Sequence, residues 1–337
     1  MNKINKTIII AEAGVNHNGK LSLAYKLIDA AKASNADYVK FQTCVPKLCI
    51  SKIAKKAKYQ KRNSIKNENQ LKMVEKISLP LNDFKKIAKY CKKRKIKFLS
   101  TAFDEVSIEY LKRFKMDFIK IPSGEITNYF YLKQVAVQKK KIILSTGLSN
   151  LSEIKSAIKI LNKHGTNKKK LTVLHCNTEY PTPPEDTNLK AMLTLKKELK
   201  VKVGLSDHSL GIEAPLGAVA LGASIIEKHL TINKKMKGPD HAASLEPKDF
   251  KLMVQSIRKI EKSMGDGKKI ASKSEKKNIF IARKSLVARN LIKKGEKFSE
   301  INVIAKRPGN GLSPMKWRKV FGKKAKKNFK EDELIKL

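Results

Sequence analysis

The chain has 337 residues, 41% of them hydrophobic, enough to bury one large core and a second small one. Its formal charge of +44 would suit a polyanion binder, but only eight of the 74 basic residues are Arg, the lysines are spread through every segment, and aromatics make up 6%. Readers of nucleic acid concentrate charge on one face and use Arg at base edges, so the composition argues instead for a Lys-rich surface that attracts small anionic substrates.

In chain order, the first predicted strand is TIIIAEAG (7–14), followed by an amphipathic helix over 21–34 and a second strand, YVKFQT (38–43). Residues 44–80 are more than a loop and one helix require. Lys- and Asn-rich around YQKRNSIKNENQ, they are expected to form a surface excursion that covers the mouth of the fold. A helix over 81–94 leads to strands KFLSTAF (97–103), FIKIPSGE (118–125) and IILSTG (142–147). A helix over 152–165, strands LTVLHCN (171–177) and VKVGLSDH (201–208), a helix over 212–223 and the strand SIIEKHLT (224–231) follow. Continuous apolar strands alternating with helices imply a parallel sheet covered on both faces. Eight such units predict a closed (β/α)8 TIM barrel. An open doubly wound sheet would also satisfy the alternation, but no G-x-G-x-x-G follows the first strand.

A helix over 247–263 completes a barrel domain of residues 1–263. Residues 264–281 lose apolar periodicity and read as a linker. Residues 282–337 carry short β-like runs broken by Gly, Pro and Asn, which predicts a second, small β-rich domain. Cys44, Cys49, Cys91 and Cys176 form no C-x-x-C pair and no zinc spacing, as expected of a reduced, cytoplasmic protein. The apolar run near the N-terminus is too short for a signal-peptide core, and no stretch approaches the ~20 apolar residues of a membrane helix. Neither membrane nor nucleic-acid partners are expected.

Active sites of such barrels lie at the C-terminal ends of the strands. Those ends carry Glu12, Lys40 with Gln42, Thr101, Lys120 with Ser123 and Glu125, Ser145 with Thr146, Asn177, Ser206 with Asp207 and His208, and Lys228 with His229. A polar end on every strand is hard to explain by structure alone. His208 and His229 close neighbouring strands and could share an exchangeable divalent cation, Mn2+ or Mg2+; a hydrogen-bonded pair of imidazoles without metal is the alternative. Lys40 and Lys120 sit within strands. Turned inward they would make an anion cradle with the nearby hydroxyls, and turned outward they would snorkel between helices. Glu12, Glu125 and Asp240 supply carboxylates for sugar hydroxyls or proton transfer.

The motifs AEAGVNHNG (11–19), VKFQT (39–43), IKIPSGE (119–125), LSTG (144–147), HCNTEYPTPPEDTNLKAM (175–192), GLSDHSLG (204–211) and EKHLT…GPDHAASLEP (227–247) together resemble the sialic acid synthases. The tail, with RKSLVAR and KRPGNGLSP, is similar to the antifreeze-like (SAF) domain that follows the barrel in that family. The resemblance implies condensation of phosphoenolpyruvate with N-acetylmannosamine, or with a related 2,4-diacetamido sugar, with release of phosphate. It implies that His208 and His229 hold Mn2+, that Lys40, Thr101, Lys120, Ser123, Ser145, Asn177 and Ser206 grip phosphoenolpyruvate, and that Glu12, Gln42, Glu125, Tyr180 and Asp240 serve the sugar and the protons. Glu125 is the expected acid or base. Arg307 matches an arginine that reaches from one subunit's small domain into the partner's barrel, which implies a domain-swapped homodimer. Thr178 stands where many relatives carry Ser or Asn, so the assignment lies between Asn177 and Thr178. The insert is nearer the N-acetylneuraminate and legionaminate makers than the pseudaminate branch, and N-acetylneuraminate synthase is the first expectation. A 3-deoxy-aldulosonate synthase would need a basic pocket for a distal phosphate, for which there is no motif. A non-catalytic polyanion binder would not need the strand-end constellation.

Overall fold

The computed structural model describes residues 6–63 and 68–337, so part of the expected excursion, 64–67, lies outside the described residues. Eight parallel strands close on themselves in sequence order. They are β1 (Ile8–Gly14), β2 (Tyr38–Thr43), β3 (Lys97–Ala102), β4 (Ile119–Ile121), β5 (Ile142–Ser145), β6 (Leu171–Cys176), β7 (Lys202–Asp207) and β8 (Ile225–His229). β8 returns to β1 with Glu12 opposite His229, which completes the TIM barrel. The helices expected from periodicity appear as α1 (Leu21–Ala33), α5 (Asp83–Lys93), α8 (Leu151–Lys163), α10 (Glu213–Ala220) and α11 (Pro247–Ser263). Three further short ones, α6 (Glu105–Leu111), α7 (Tyr129–Ala136) and α9 (Ala191–Leu199), are not among the expected elements. Two of these begin at caps legible in the sequence: Asp104 Oδ1 accepts from Ser107 N at 2.8 Å, and Asn128 Oδ1 accepts from Tyr131 N at 3.2 Å.

Residues 44–80 carry three helices, α2 (Pro46–Cys49), α3 (Lys58–Asn63) and α4 (Gln70–Ile77), the last capped by Asn69, whose Oδ1 accepts from Lys72 N at 2.9 Å.

Side chains alternate across the barrel wall. Those of Ile9, Val39, Ile121, Leu144, Val173, Leu205 and Ile226 face the helices and join the main core. Ile10, Tyr38, Leu99, Ile143, Leu174 and Ile225 face the bore and form a separate apolar plug. At β7 the plug takes Gly204, because a Cβ there would meet Ile225 O at 2.3 Å and Leu174 Cδ2 at 2.7 Å. Two residues further along each strand the bore turns polar.

The polypeptide divides at Gly265/Asp266 into two compact units. In the second, β9 (Ser285–Ala288) pairs antiparallel with β10 (Val303–Lys306) over a small core that includes Ile292, Phe298 and Phe329. The stretch read as a linker contains two helical turns, α12 (Lys273–Lys276) and α13 (Ile279–Ala282). A capping box between Ser272 and Glu275 starts the first without any apolar stripe. No helix among the described residues is long and apolar enough to cross a membrane.

One guanidinium joins the last barrel helix to the first strand. Arg258 donates to Thr7 O at 2.8 Å, to Glu261 Oε1 at 2.7 Å and to Asp37 Oδ2 at 3.1 Å. The same two carboxylate oxygens accept from Thr7 N at 2.6 Å and Ile9 N at 2.9 Å. In a chain where Lys far outnumbers Arg, three acceptors around one head group call for a planar fork. Arg258→Ala should therefore lower the unfolding free energy by about 1–3 kcal/mol in a denaturant titration. Arg258→Lys should recover little of it, and full recovery by Lys would mean that the fork geometry is irrelevant.

Candidate active site

The polar layer of the bore takes one side chain from each strand: Glu12, Lys40, Thr101, Lys120, Ser145, Cys176, Ser206 and Glu227. All eight are buried. Two ammonium groups and two carboxylates are thus held out of water, where unpaired charge is prohibitive. Lys40 Nζ lies 2.8 Å from Glu12 Oε2 and 3.8 Å from Glu227 Oε2, and Lys120 Nζ lies 3.4 Å from Glu227 Oε1. Hydroxyls take the remaining valences. Lys40 donates to Thr101 Oγ1 at 3.0 Å, Lys120 to Ser145 Oγ at 2.7 Å, and Ser206 to Glu227 Oε1 at 3.0 Å. Gln42 Nε2 donates to Glu12 Oε1 at 3.2 Å. Burial pushes Glu227 up, but Lys120 and Lys40 outweigh it and hold the carboxyl below its usual range. Burial dominates at Lys120, which is lowered, and at Glu12, which is raised in spite of Lys40.

Above this layer stand the two histidines. Their ring centroids are 5.3 Å apart, and Tyr180 stacks on His208 at 4.0 Å with Tyr59 stacked behind it at 4.8 Å. His208 Nδ1 bonds to the Asn177 carbonyl oxygen. His229 Nδ1 is buried with no hydrogen-bond partner among the described residues, 3.8 Å from Asp240 Oδ2. Burial drives His229 well below the usual imidazole range and pushes Asp240 up to about 7. His208 is raised, burial being outweighed by Cys176 and the Asn177 carbonyl. β1 ends at Gly14 with φ +50°, and a Cβ there would approach His229 Cε1 to 3.2 Å, so glycine leaves the imidazole its place.

Layer and histidines line a cavity of about 410 Å3. Its outer wall comes from the excursion, including Ile50, Tyr59, Met73, Val74 and Ile77. The described part of the excursion, 44–63 and 68–80, therefore contributes to the mouth of the barrel. Glu125 lines the opposite side; its carboxylate accepts from Asn128 Nδ2 at 2.7 Å, and partial burial raises it.

Of the residues singled out in the sequence, Glu12, Lys40, Gln42, Thr101, Lys120, Ser123, Glu125, Ser145, Tyr180, Ser206, His208, His229 and Asp240 converge on this cavity. Asn177 does not. Its Oδ1 accepts from Glu179 N at 2.8 Å inside the loop, and Thr178 lines the cavity in its place. Arg307 lies in the C-terminal unit, exposed, its Nε donating to Ala282 O at 3.1 Å. Three strand-end residues expected at the rim face away from it. Thr146 donates to Leu174 O at 2.9 Å, and Asp207 and Lys228 pair with each other outside the bore. The sequence reading missed Glu227 and Cys176, although each was within reach of the period-two rule: Glu227 is two residues before His229, and Cys176 two after inward-facing Leu174.

The sequence pattern of the NeuB family matches residues 27–269, and that of the SAF domain matches residues 283–337. The chain is 56% identical over 332 residues to the N,N'-diacetyllegionaminic acid synthase of Campylobacter jejuni subsp. jejuni serotype O:2, covering 98% of this chain and 99% of that protein. It is 42% identical over 323 residues to the N,N'-diacetyllegionaminic acid synthase of Legionella pneumophila subsp. pneumophila, covering 95% and 91%. The solved structure of N-acetylneuraminic acid (sialic acid) synthetase from Leptospira borgpetersenii serovar Hardjo-bovis matches with a TM-score of 0.70 at 35% identity, over 82% of this chain and 91% of that one.

The charge balance of the bore generates a stability test. Glu227→Ala leaves Lys120 without its nearest carboxylate and should cost about 3–5 kcal/mol in denaturant unfolding. Adding Lys120→Met to the same chain should return a good part of that loss, because the orphaned charge is removed. Strictly additive losses would mean that the two groups do not neutralise each other.

Proposed function

The chain belongs to the NeuB family and carries a SAF domain, and from that premise we propose that it condenses phosphoenolpyruvate with a 2,4-diacetamido sugar, releasing phosphate and forming N,N'-diacetyllegionaminate. The observation that carries this reading is the 56% identity, end to end, with a synthase of that name. It reverses the order expected from the sequence, where N-acetylmannosamine stood first and the diacetamido acceptor second. The cavity supports the reversal. A second acetamido group in place of a hydroxyl makes the acceptor larger and more apolar, and Ile50, Met73, Val74 and Ile77 offer it an apolar wall.

On this reading Lys40 and Lys120 bind the phosphate and carboxylate of the enol phosphate, with Thr101, Ser123, Ser145 and Ser206 donating to its oxygens. The bore is neutral before substrate enters, so the anion competes with Glu12 and Glu227 for the lysines, and the second of these contacts shifts as it binds. Tyr180 and Asp240 hold the acceptor's hydroxyl and amide groups. Glu125, at the edge of the cavity with a carboxyl raised by burial, gives or takes the proton at the reacting carbonyl.

The metal fits the residues present. His229 offers a buried nitrogen with no other partner among the described residues and, being hard to protonate, keeps its lone pair. At His208 a cation would displace a proton. No group of three or more His, Cys, Asp or Glu that could hold a metal occurs among the described residues, so two imidazoles would leave most of the shell to water and substrate. When bound, Mn2+ or Mg2+ would supply a Lewis acid for the acceptor's carbonyl oxygen. The assembly we propose is a domain-swapped homodimer in which Arg307 completes the acceptor end; that part rests on the likeness of the KRPGNG segment to the family's.

Phosphate release from phosphoenolpyruvate with Mn2+ tests the reading directly. The kcat/KM for the 2,4-diacetamido sugar should exceed that for N-acetylmannosamine by about 10-fold or more, and a preference for N-acetylmannosamine would overturn the acceptor assignment. His208→Ala and His229→Ala should each abolish turnover while the chain keeps its fold by circular dichroism; near-normal rates in both would end the metal role. Arg307→Ala should raise KM for the sugar and leave the dimer intact in size-exclusion chromatography. An unchanged KM would remove Arg307 from the site.

A further inference from the structure

We propose that the buried ion pair between Asp207 and Lys228 is a positioning device that sets the separation of His208 and His229 and thereby the affinity of the divalent cation they take. This rests on the reading of those two imidazoles as the metal site.

Asp207 and Lys228 face each other on the last paired rung of β7 and β8. Each immediately precedes one of the histidines: alternation sends the pair outward and His229 into the bore, and His208, the first residue past β7, lines the same cavity. Both are sealed from water, with Lys228 at 0% exposure and Asp207 at 3%. Lys228 Nζ contacts Asp207 Oδ2 and donates to Ser209 O at 2.7 Å. Asp207 Oδ1 accepts from Ser209 N at 3.0 Å and from Ser209 Oγ at 2.7 Å. The residues on both sides of His208 are therefore tied to the residue before His229. Only the rings are left free to meet a ligand, one of them already held at Nδ1 by Asn177 O.

Energetics argue for the same role. Two charges taken this far out of water recover little net stability from each other, and a well-packed apolar pair of similar volume would serve the fold as well or better. What an apolar pair lacks is direction. A charge-assisted bond between two fixed atoms sets one distance between adjacent strand ends, at the point where two ligands must meet one ion. Carboxylates and carbonyls that support metal-binding histidines from behind have this kind of leverage over affinity. Here the support acts through the backbone rather than through the ring nitrogens.

The test is Mn2+ binding to the metal-free full-length protein, with free Mn2+ followed by electron paramagnetic resonance well below the melting temperature. The variant of choice is Asp207→Asn/Lys228→Met, which removes both charges together and keeps an oxygen for Ser209. It should remain folded and bind Mn2+ about 10–100-fold more weakly than the wild type. Should that variant fail to fold, Asp207→Asn/Lys228→Leu, which is equally neutral, provides the same readout. A folded variant that binds Mn2+ as the wild type does would overturn the positioning role while leaving the metal site standing. A wild type that takes up no Mn2+ would overturn both.

Discussion

Two ammonium groups and two carboxylates lie buried side by side at the floor of the cavity, and the site is arranged around the need to keep that floor neutral. Lys40 bridges Glu12 and Glu227, and Lys120 leans on Glu227. None of the four could be buried alone. The constraint explains why the hydroxyls sit where they do. Thr101, Ser145 and Ser206 each contribute one bond to a charged neighbour and close valences that the ion pairs leave open. It also explains the apolar plug beneath, which denies water a route from the N-terminal end of the bore. On the proposed reading, a substrate carrying phosphate and carboxylate would meet a layer whose cations are already in position and need only exchange partners.

Much of this was legible in the sequence because a barrel reduces three dimensions to one rule. Side chains two apart on a strand face the same way, and strand ends converge. Eight apolar runs therefore gave the architecture, and the alternation that places Ile10 in the bore places Glu12 there also. The misreadings came from reading strand ends as clusters rather than by parity. Lys228 and His229 are adjacent in sequence and consequently on opposite sides of the wall. Glu227, which pairs with both buried lysines, is the residue that parity with His229 selects. Asn177 fails for another reason: strand β6 ends at Cys176, and beyond it a loop decides direction by its own hydrogen bonds. The three short helices α6, α7 and α9 were not read from periodicity, although α10, of similar length, was.

The excursion after β2 obeys no such rule, and periodicity said little about it beyond its length and its Lys- and Asn-rich composition. Its helices are built from local devices, an Asn cap at α4 and a proline at the start of α2. Their contribution to function comes from the apolar residues they present across the cavity. A floor held by paired charges tolerates little change, since altering any member strands another. A wall of Ile50, Met73, Val74 and Ile77 can be resized one methylene at a time at modest cost.

That asymmetry bears on how one fold can serve several acceptor sugars. The donor of the reaction is the same wherever an enol phosphate is used, and the residues proposed to grip it are spread over strands whose positions are fixed to each other by backbone hydrogen bonds. The acceptor varies, and the surface proposed to read it hangs on the segment between β2 and β3, which meets the histidines through Tyr59 stacked on Tyr180. Hydrophobic contacts discriminate weakly per methyl group but additively over a wall, whereas a buried polar partner discriminates sharply and fails outright when absent. A second acetamido group brings both at once, an amide that needs a partner and a methyl that needs cover. On the proposed reading the apolar side chains of the excursion would cover the methyl, while on the same lining the Gln60 amide oxygen already accepts from Ala57 N at 2.9 Å and Gln70 Nε2 at 3.5 Å. Acceptor choice can change there without disturbing the charges on which the barrel's interior depends.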